Sequence, residues 1–259
     1  MLPKLTNKSI QTLILLAETA GKEILKIYHT PFETRVKKDN SPVTIADEMA
    51  ERIILLGLSN FSPHLPIVSE EAYSKGHRPD ISKGIFWLVD ALDGTKEFIN
   101  KRDEFTVNIA LINDKKPVFG IVYAPALGIL YYGGGIGAFK RDAQGYKKDI
   151  HVRTPKKDGI TVVTSRSHRG SEDAILKNYQ INNTVYTGSS IKLCMIAEGS
   201  ADLYPRITPT SEWDIAAGHA ILIAAGGELT QIDGTPFLYG KENIINPKFI
   251  ARGREPIRS

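Results

Sequence analysis

The sequence predicts a mixed α/β protein, α+β in its first half and α/β in its second. Three observations carry this. Apolar residues recur at helical spacing near the start, a middle stretch alternates with period two between short turns, and beyond residue 155 strand-like and helix-like segments take turns. The expected division is 1–154 and 155–259.

Ile10, Leu13, Ile14, Ala17, Ile24, Ile27 and Tyr28 fall on one face of a first helix. The turn formers Lys37-Lys38-Asp39-Asn40-Ser41-Pro42 interrupt that pattern. Thr44, with Asp47 three residues on, reads as the capping box of a second helix. Its apolar face is expected to carry Ile45, Met49, Ile53 and Leu56. Pro66-Ile67-Val68 is a short strand running into Glu70-Glu71, and residues 86–89 form another that ends at Asp90. Phe105, Val107, Ile109 and Leu111 share one side of a third. Returns at 118–123 and 129–132, joined by turns at 113–116 and 125–128, make an antiparallel meander.

In the second half residues 160–164 read as a strand, and residues 191–198 as a helix ended by Gly199. Asp202-Leu203-Tyr204 is short and extended. Ser211 caps a helix from Glu212 to Ala225 that Gly226-Gly227 stops, and residues 228–232 form the closing strand.

Composition narrows the classes. Hydrophobic residues at 42% and charged residues at 24% of 259 fit a folded soluble chain whose core needs no staples. No apolar run reaches the roughly 18 residues of a membrane span, so no transmembrane segment is expected. The start has no signal-type apolar segment. Cys194 is the one cysteine, so no internal disulfide forms, which fits the cytoplasm. It lies among Leu193, Met195 and Ile196 and reads as core rather than as a nucleophile. The net charge of +4 is spread in pairs such as Lys37-Lys38, Lys115-Lys116 and Lys156-Lys157. These read as solvated turns, so no nucleic-acid partner is expected.

Against this basic background the acids cluster. Asp90 and Asp93 stand three apart at a strand end, with Gly94 to allow a bend and Thr95 to open a short segment whose amides can face a phosphate. Two carboxylates and the Leu92 carbonyl suit a hard divalent cation such as magnesium. Glu70-Glu71 follows another strand, and Asp214 stands in the first turn of a helix. Each has a plain reading: Asp47 and Asp214 as caps, Glu70-Glu71 as an exposed pair, the 90–93 turn as a solvated one. Their co-occurrence favours a site, because gathered carboxylates without cations would be forced to take protons.

Four segments, in order, resemble the inositol monophosphatase superfamily of lithium-sensitive, magnesium-dependent phosphatases. They are Ser41-Pro42-Val43-Thr44-Ile45-Ala46-Asp47, Ile67-Val68-Ser69-Glu70-Glu71, residues 87–95, and Trp213-Asp214-Ile215-Ala216-Ala217-Gly218. Lys96-Glu97-Phe98, Ser165-Arg166-Ser167-His168, Gly188-Ser189-Ser190-Ile191-Lys192 and residues 201–206 are similar to its branch of 3′(2′),5′-bisphosphate nucleotidases of the CysQ type. Ala91 departs from the family's usual proline, at a position that offers no ligating side chain.

The resemblance implies a layered αβαβα sandwich of the sugar-phosphatase type. It implies two or three magnesium ions: Glu70, Asp90 and the Leu92 carbonyl on the first, and Asp90, Asp93 and Asp214 on the second. Thr95, oriented by Asp47, would help deprotonate the attacking water, and the Gly94 and Thr95 amides would bind the phosphate. The substrate implied is adenosine 3′,5′-bisphosphate, its second phosphate met by Ser189, Lys192 and Arg206. A homodimer is expected because relatives often pair, as is a place in the cytoplasm or on the cytoplasmic side of the inner membrane. The 37–41 loop is expected to close near the metals and help place a further ion. His168 and His219 read as structural, and Trp87 and Trp213 as packing residues. An inositol monophosphatase, a fructose-1,6-bisphosphatase and a non-catalytic polyanion-binding module are the alternatives.

Overall fold

The computed structural model describes residues 2–37, 42–166 and 172–254. Helix α1 (Asn7–Tyr28) starts on a Thr6 cap and buries Ile10, Leu13, Ile14, Ala17, Ala20 and Ile24. A small hairpin of β1 (Thr34–Val36) and β2 (Pro42–Thr44) leads to α2 (Ile45–Phe61). β3 (Ile67–Ser69) and the one-turn α3 (Glu70–Ser74) follow.

The meander is longer than the sequence pattern suggested. It runs β4 (Ile85–Asp93), β5 (Thr106–Asn113), β6 (Lys116–Ala124), β7 (Ile129–Gly134), β8 (Gly137–Arg141) and β9 (Lys147–Asp149), with the five-residue α4 (Thr95–Ile99) after β4. With β3 parallel to β4, these make a seven-stranded sheet among the described residues, in the order β3-β4-β5-β6-β7-β8-β9.

The second half holds β10 (Ile160–Ser165), α5 (Asp173–Leu176), β11 (Ile181–Thr187), α6 (Ile191–Ala197), β12 (Leu203–Arg206), α7 (Glu212–Ala224), β13 (Glu228–Gln231) and β14 (Phe249–Arg252). Its sheet has the order β11-β10-β12-β14-β13. β13, expected to close the chain, is instead an edge strand. β14, which has no distinct alternation, inserts between it and β12.

Apolar burial stacks the layers. α1 and α2 cover one face of the large sheet, against Trp87, Val89, Ile109, Leu111 and Ile121. The opposite face, with Phe86, Leu88, Ala110 and Val122, meets Leu193, Cys194, Ala216 and Ile221 of α6 and α7. The far side of those helices packs on Val163, Tyr204, Phe249 and Ala251 of the second sheet. Ile160, Val162 and Leu203 on its outer face meet Leu176 and Tyr179. The result is the expected αβαβα sandwich. The large sheet ends at Asp149 and the second begins at Ile160.

One expectation about α2 fails. Ile45, Met49 and Leu56 face solvent, at 45%, 38% and 65% exposure, while Ala46, Ala50, Ile54 and Leu58 are buried. Two apolar stripes run along this helix. The core takes the one with the small residues Ala46 and Ala50, the side on which α2 packs with α1 and where Gly57 meets the Leu16 side chain. Among the described residues no helix is long and apolar enough to cross a membrane.

Candidate active site

The bend after Asp90 is a bulge inside a strand rather than a strand end. Asp90 pairs with Asn108 and Asp93 with Thr106, so the ladder shifts register between them. The Leu92 amide donates to Asp90 Oδ1 at 3.0 Å and closes the bend. Gly94 then takes φ +92°, a left-handed conformation that a side chain would strain. Thr95 starts α4, and its hydroxyl lies 3.1 Å from Asp47 Oδ1 and 3.3 Å from the Leu92 carbonyl. One proton serves only one of those acceptors at a time.

Asp47 reaches this point because its own helix holds it. Its Oδ2 accepts from the Thr44 amide at 2.8 Å and the Thr44 hydroxyl at 2.7 Å, leaving Oδ1 for Thr95. Asp214 repeats the device at the head of α7, where its Oδ2 accepts from the Ser211 amide at 2.8 Å. Each of these capping carboxylates also serves a second contact, Asp214 lining the cleft and Asp47 meeting Thr95.

Glu70, Asp90 and Asp214 come from three separate elements, yet one carboxylate oxygen of each lies within 4.8 Å of the others. All three line a single cleft of about 350 Å³. Leu92, Asp93, Gly94 and Thr95 line it too, as do Ser189, Lys192 and Arg206. Among the site residues read from sequence, Asp47 alone is absent from that lining and touches the cleft through Thr95. Asp93 stands slightly apart from the three converging acids. Its Oδ2 accepts from Ser190 Oγ at 3.0 Å and Asn108 Nδ2 at 3.3 Å.

The electrostatics follow from burial. Asp90 and Asp214 have carboxyls held well above the usual range, first by desolvation and then by the neighbouring acids. Glu70 and Asp93 are raised by desolvation, opposed by Lys37 and Lys192 respectively. Burial lowers Lys192 to about 8 against the pull of Asp93. Its ammonium donates to the Ser189 carbonyl at 2.6 Å. Lys192 is 5% exposed and Arg206 8%, so both cations are buried. The donor set is all oxygen, with Asp90 buried and the other acids half-buried, and it is mutually repelling, which is the chemistry a hard divalent cation relieves.

Some participants went unread in the sequence. Lys37, expected in a solvated lysine pair, instead has a buried side chain that donates to Glu70 Oε1 at 2.6 Å and Glu71 Oε1 at 2.5 Å. Nothing local separates it from Lys38. Asn108 is buried in β5 and donates 2.8 Å to Ser190 Oγ as well as to Asp93. A polar residue inside the run 105–112 was the available signal. Glu97 lines the cleft beside Gly94 and Gly188. Residues 38–41, which carry most of the expected closing loop, and His168 lie outside the described residues. His219 and Cys194 are buried away from the cleft lining, and His219 Nδ1 lies 2.9 Å from the Tyr239 hydroxyl. Trp87 and Trp213 are buried as expected, and Trp87 donates to Ser62 Oγ at 2.8 Å.

A layered sandwich that gathers acids from three elements over one cleft fits a phosphatase scaffold. The inositol monophosphatase family model matches residues 6–255, and the chain belongs to that family. Within it, the chain is 45% identical over 239 residues to the 3′(2′),5′-bisphosphate nucleotidase CysQ of Salmonella typhimurium, covering 90% of this chain and 95% of that one. It is 44% identical over 241 residues to the CysQ nucleotidase of Escherichia coli strain K12, with the same two coverages. The crystal structure of CysQ from Bacteroides thetaiotaomicron, 36% identical, superposes with a TM-score of 0.81 over 97% of this chain and 99% of that chain.

Proposed function

We propose that this enzyme is a magnesium-dependent phosphatase that hydrolyses the 3′-phosphate of adenosine 3′,5′-bisphosphate, giving AMP and phosphate. One observation carries the reading. The three converging acids share their cleft with two buried cations, Lys192 and Arg206, on its second-half wall. A substrate with one phosphate to lose and another to hold fits that pairing.

Two or three magnesium ions would be held by Glu70, Asp90, the Leu92 carbonyl, Asp93 and Asp214. When bound they would neutralise phosphoryl charge and make water a better nucleophile near neutral pH. The chain's own residues do the rest. Thr95 presents a lone pair toward the cleft and takes a proton from the attacking water as its own hydroxyl proton passes to Asp47 Oδ1. Asp47 is locked by Thr44, so the direction of that transfer is set before substrate arrives. The Gly94 and Thr95 amides, at the start of α4, orient the reacting phosphate. Ser189, Lys192 and Arg206 hold the other phosphate and so fix which ester lies over the acids.

Attack is in line, without a phosphoenzyme, since no side chain is needed as nucleophile. Lithium inhibits by competing for a magnesium position. The enzyme works in the cytoplasm, consistent with its single buried cysteine.

The test is phosphate release from adenosine 3′,5′-bisphosphate, adenosine 3′-monophosphate, inositol 1-phosphate and fructose 1,6-bisphosphate, with and without magnesium. Turnover is expected with magnesium, and fastest on the bisphosphate nucleotide. Preference for inositol 1-phosphate would move the chain to the other branch of its family. Salt-sensitive polyanion binding without turnover would make it a binding module.

A further inference from the structure

The turn that carries Ser189 is held from behind by an ion pair that joins the two halves of the chain. Arg166 follows β10, and Glu104 precedes β5. Arg166 Nη2 donates to Glu104 Oε1 at 2.6 Å and to the Tyr186 carbonyl at 2.9 Å. Its Nε lies 3.3 Å from Glu104 Oε2. That same Oε2 accepts the Gly188 amide at 2.9 Å. The pair therefore grips the backbone at 186 and at 188, just before the turn.

The turn needs gripping. Ser189 has φ +48°, a left-handed conformation unusual for a residue with a side chain. Gly188 leaves no slack either, since a Cβ there would lie 2.7 Å from Glu97 Cγ and 2.8 Å from the Glu104 carbonyl. Beyond the turn, the Ser189 carbonyl receives Lys192, and Ser190 Oγ meets Asp93. Glu104 and Arg166 are outside the cleft lining, while Gly188, Ser189, Ser190 and Lys192 are within it.

We propose that Glu104 and Arg166 are positioning residues that set the Gly188–Lys192 wall for the non-reacting phosphate of the substrate. The inference rests on the substrate reading above. Arg166 spends its fork on Glu104 and the Tyr186 carbonyl, so it acts through the backbone rather than on the ligand. Its effect should be confined to ligands that use that wall.

The test compares kcat and KM on adenosine 3′,5′-bisphosphate and on adenosine 3′-monophosphate, which lacks the second phosphate. Arg166→Met is expected to raise KM for the bisphosphate about tenfold, the scale of one charged hydrogen bond. KM for the monophosphate, and kcat for both, should stay within about twofold of the parent. Glu104→Gln should do the same, with the double variant no worse than either alone. Arg166→Lys, which keeps the charge but not the fork, should fall between. Equal losses on both substrates, or additive effects in the double variant, would overturn the assignment.

Calorimetric binding of AMP to the magnesium-loaded protein gives a second readout, expected to weaken about tenfold in Arg166→Met. Unchanged affinity would likewise overturn it. If the parent enzyme hydrolyses the monophosphate but not the bisphosphate, the substrate reading fails, and AMP affinity still decides the clamp. Should Arg166→Met not fold, Arg166→Lys and Glu104→Gln carry the same comparison.

Discussion

Asp93 shows how much a single side chain is asked to do. It faces the cleft, yet its Oδ2 is bonded to Ser190 and Asn108, and burial raises its carboxyl. Asp93→Asn keeps the shape and removes a buried charge from a crowded acid cluster. The fold should persist, with a melting temperature equal or higher, while turnover falls by several orders of magnitude. Near-normal kcat would contradict a role in cation binding. His219 offers a separate check on burial. Desolvation lowers its imidazole to about 3 from a usual 6.5. The unfolded chain takes that proton first, so the ring's contribution is full above 6.5 and is lost as pH falls toward 3. Between pH 6.5 and about 5 this amounts to roughly 2 kcal/mol. His219→Gln should remove that part of the slope in a series of denaturant melts, and an unchanged slope would refute the assignment.

Among the elements, α7 links chemistry to packing. Its first turn carries Asp214, and its body crosses β5, β6 and β7 of the large sheet. The approach is close enough that a Cβ on Gly120 would lie 2.2 Å from the Ala217 carbonyl. Backbone cannot yield there as a flexible side chain would. Gly120→Ala should therefore destabilise by about 1–3 kcal/mol and tilt α7, lowering kcat along with the melting temperature. A variant that melts like the parent would show that the contact is loose. The elements also show where reading by pattern stopped. Both capping boxes were visible, since a cap is decided within four residues. The buried face of α2 was not, because periodicity offered two stripes and only the approach of α1 chose between them. β11 is an edge strand with exposed Asn182 and Asn183, and it has no apolar alternation to announce it.

Taken as one molecule, the protein stores electrostatic tension that a cation would release. Carboxyls raised in the folded state favour folding at low pH, and that contribution is lost as pH rises through their folded values. Glu71, pushed up to about 7 chiefly by burial, loses its own share between about pH 4.5 and 7. In metal-free protein the contribution of the cleft acids is likewise lost as pH rises, and magnesium should offset that loss by occupying the site the protons leave. The rise in melting temperature on adding magnesium is thus expected to be small near pH 5 and larger near pH 8. A magnesium effect independent of pH would argue against binding at the buried acids. Lithium should reduce turnover without lowering the melting temperature, since it competes for a position rather than opening the fold.

The acid turn at 90–95, the caps at Thr44 and Ser211 and the helix–strand alternation were legible in the chain because each is settled by neighbours a few residues away. Their order along the chain also carried the family resemblance, and with it the layered architecture. Other features arise only on folding. The convergence of Glu70, Asp90 and Asp214, the burial of Lys37 against Glu70 and Glu71, and the Arg166–Glu104 grip on the Ser189 turn all join residues many positions apart. The physical reason is range: hydrogen-bonded turns and caps are short-range choices, whereas desolvation and charge proximity depend on which distant surfaces the apolar core brings together.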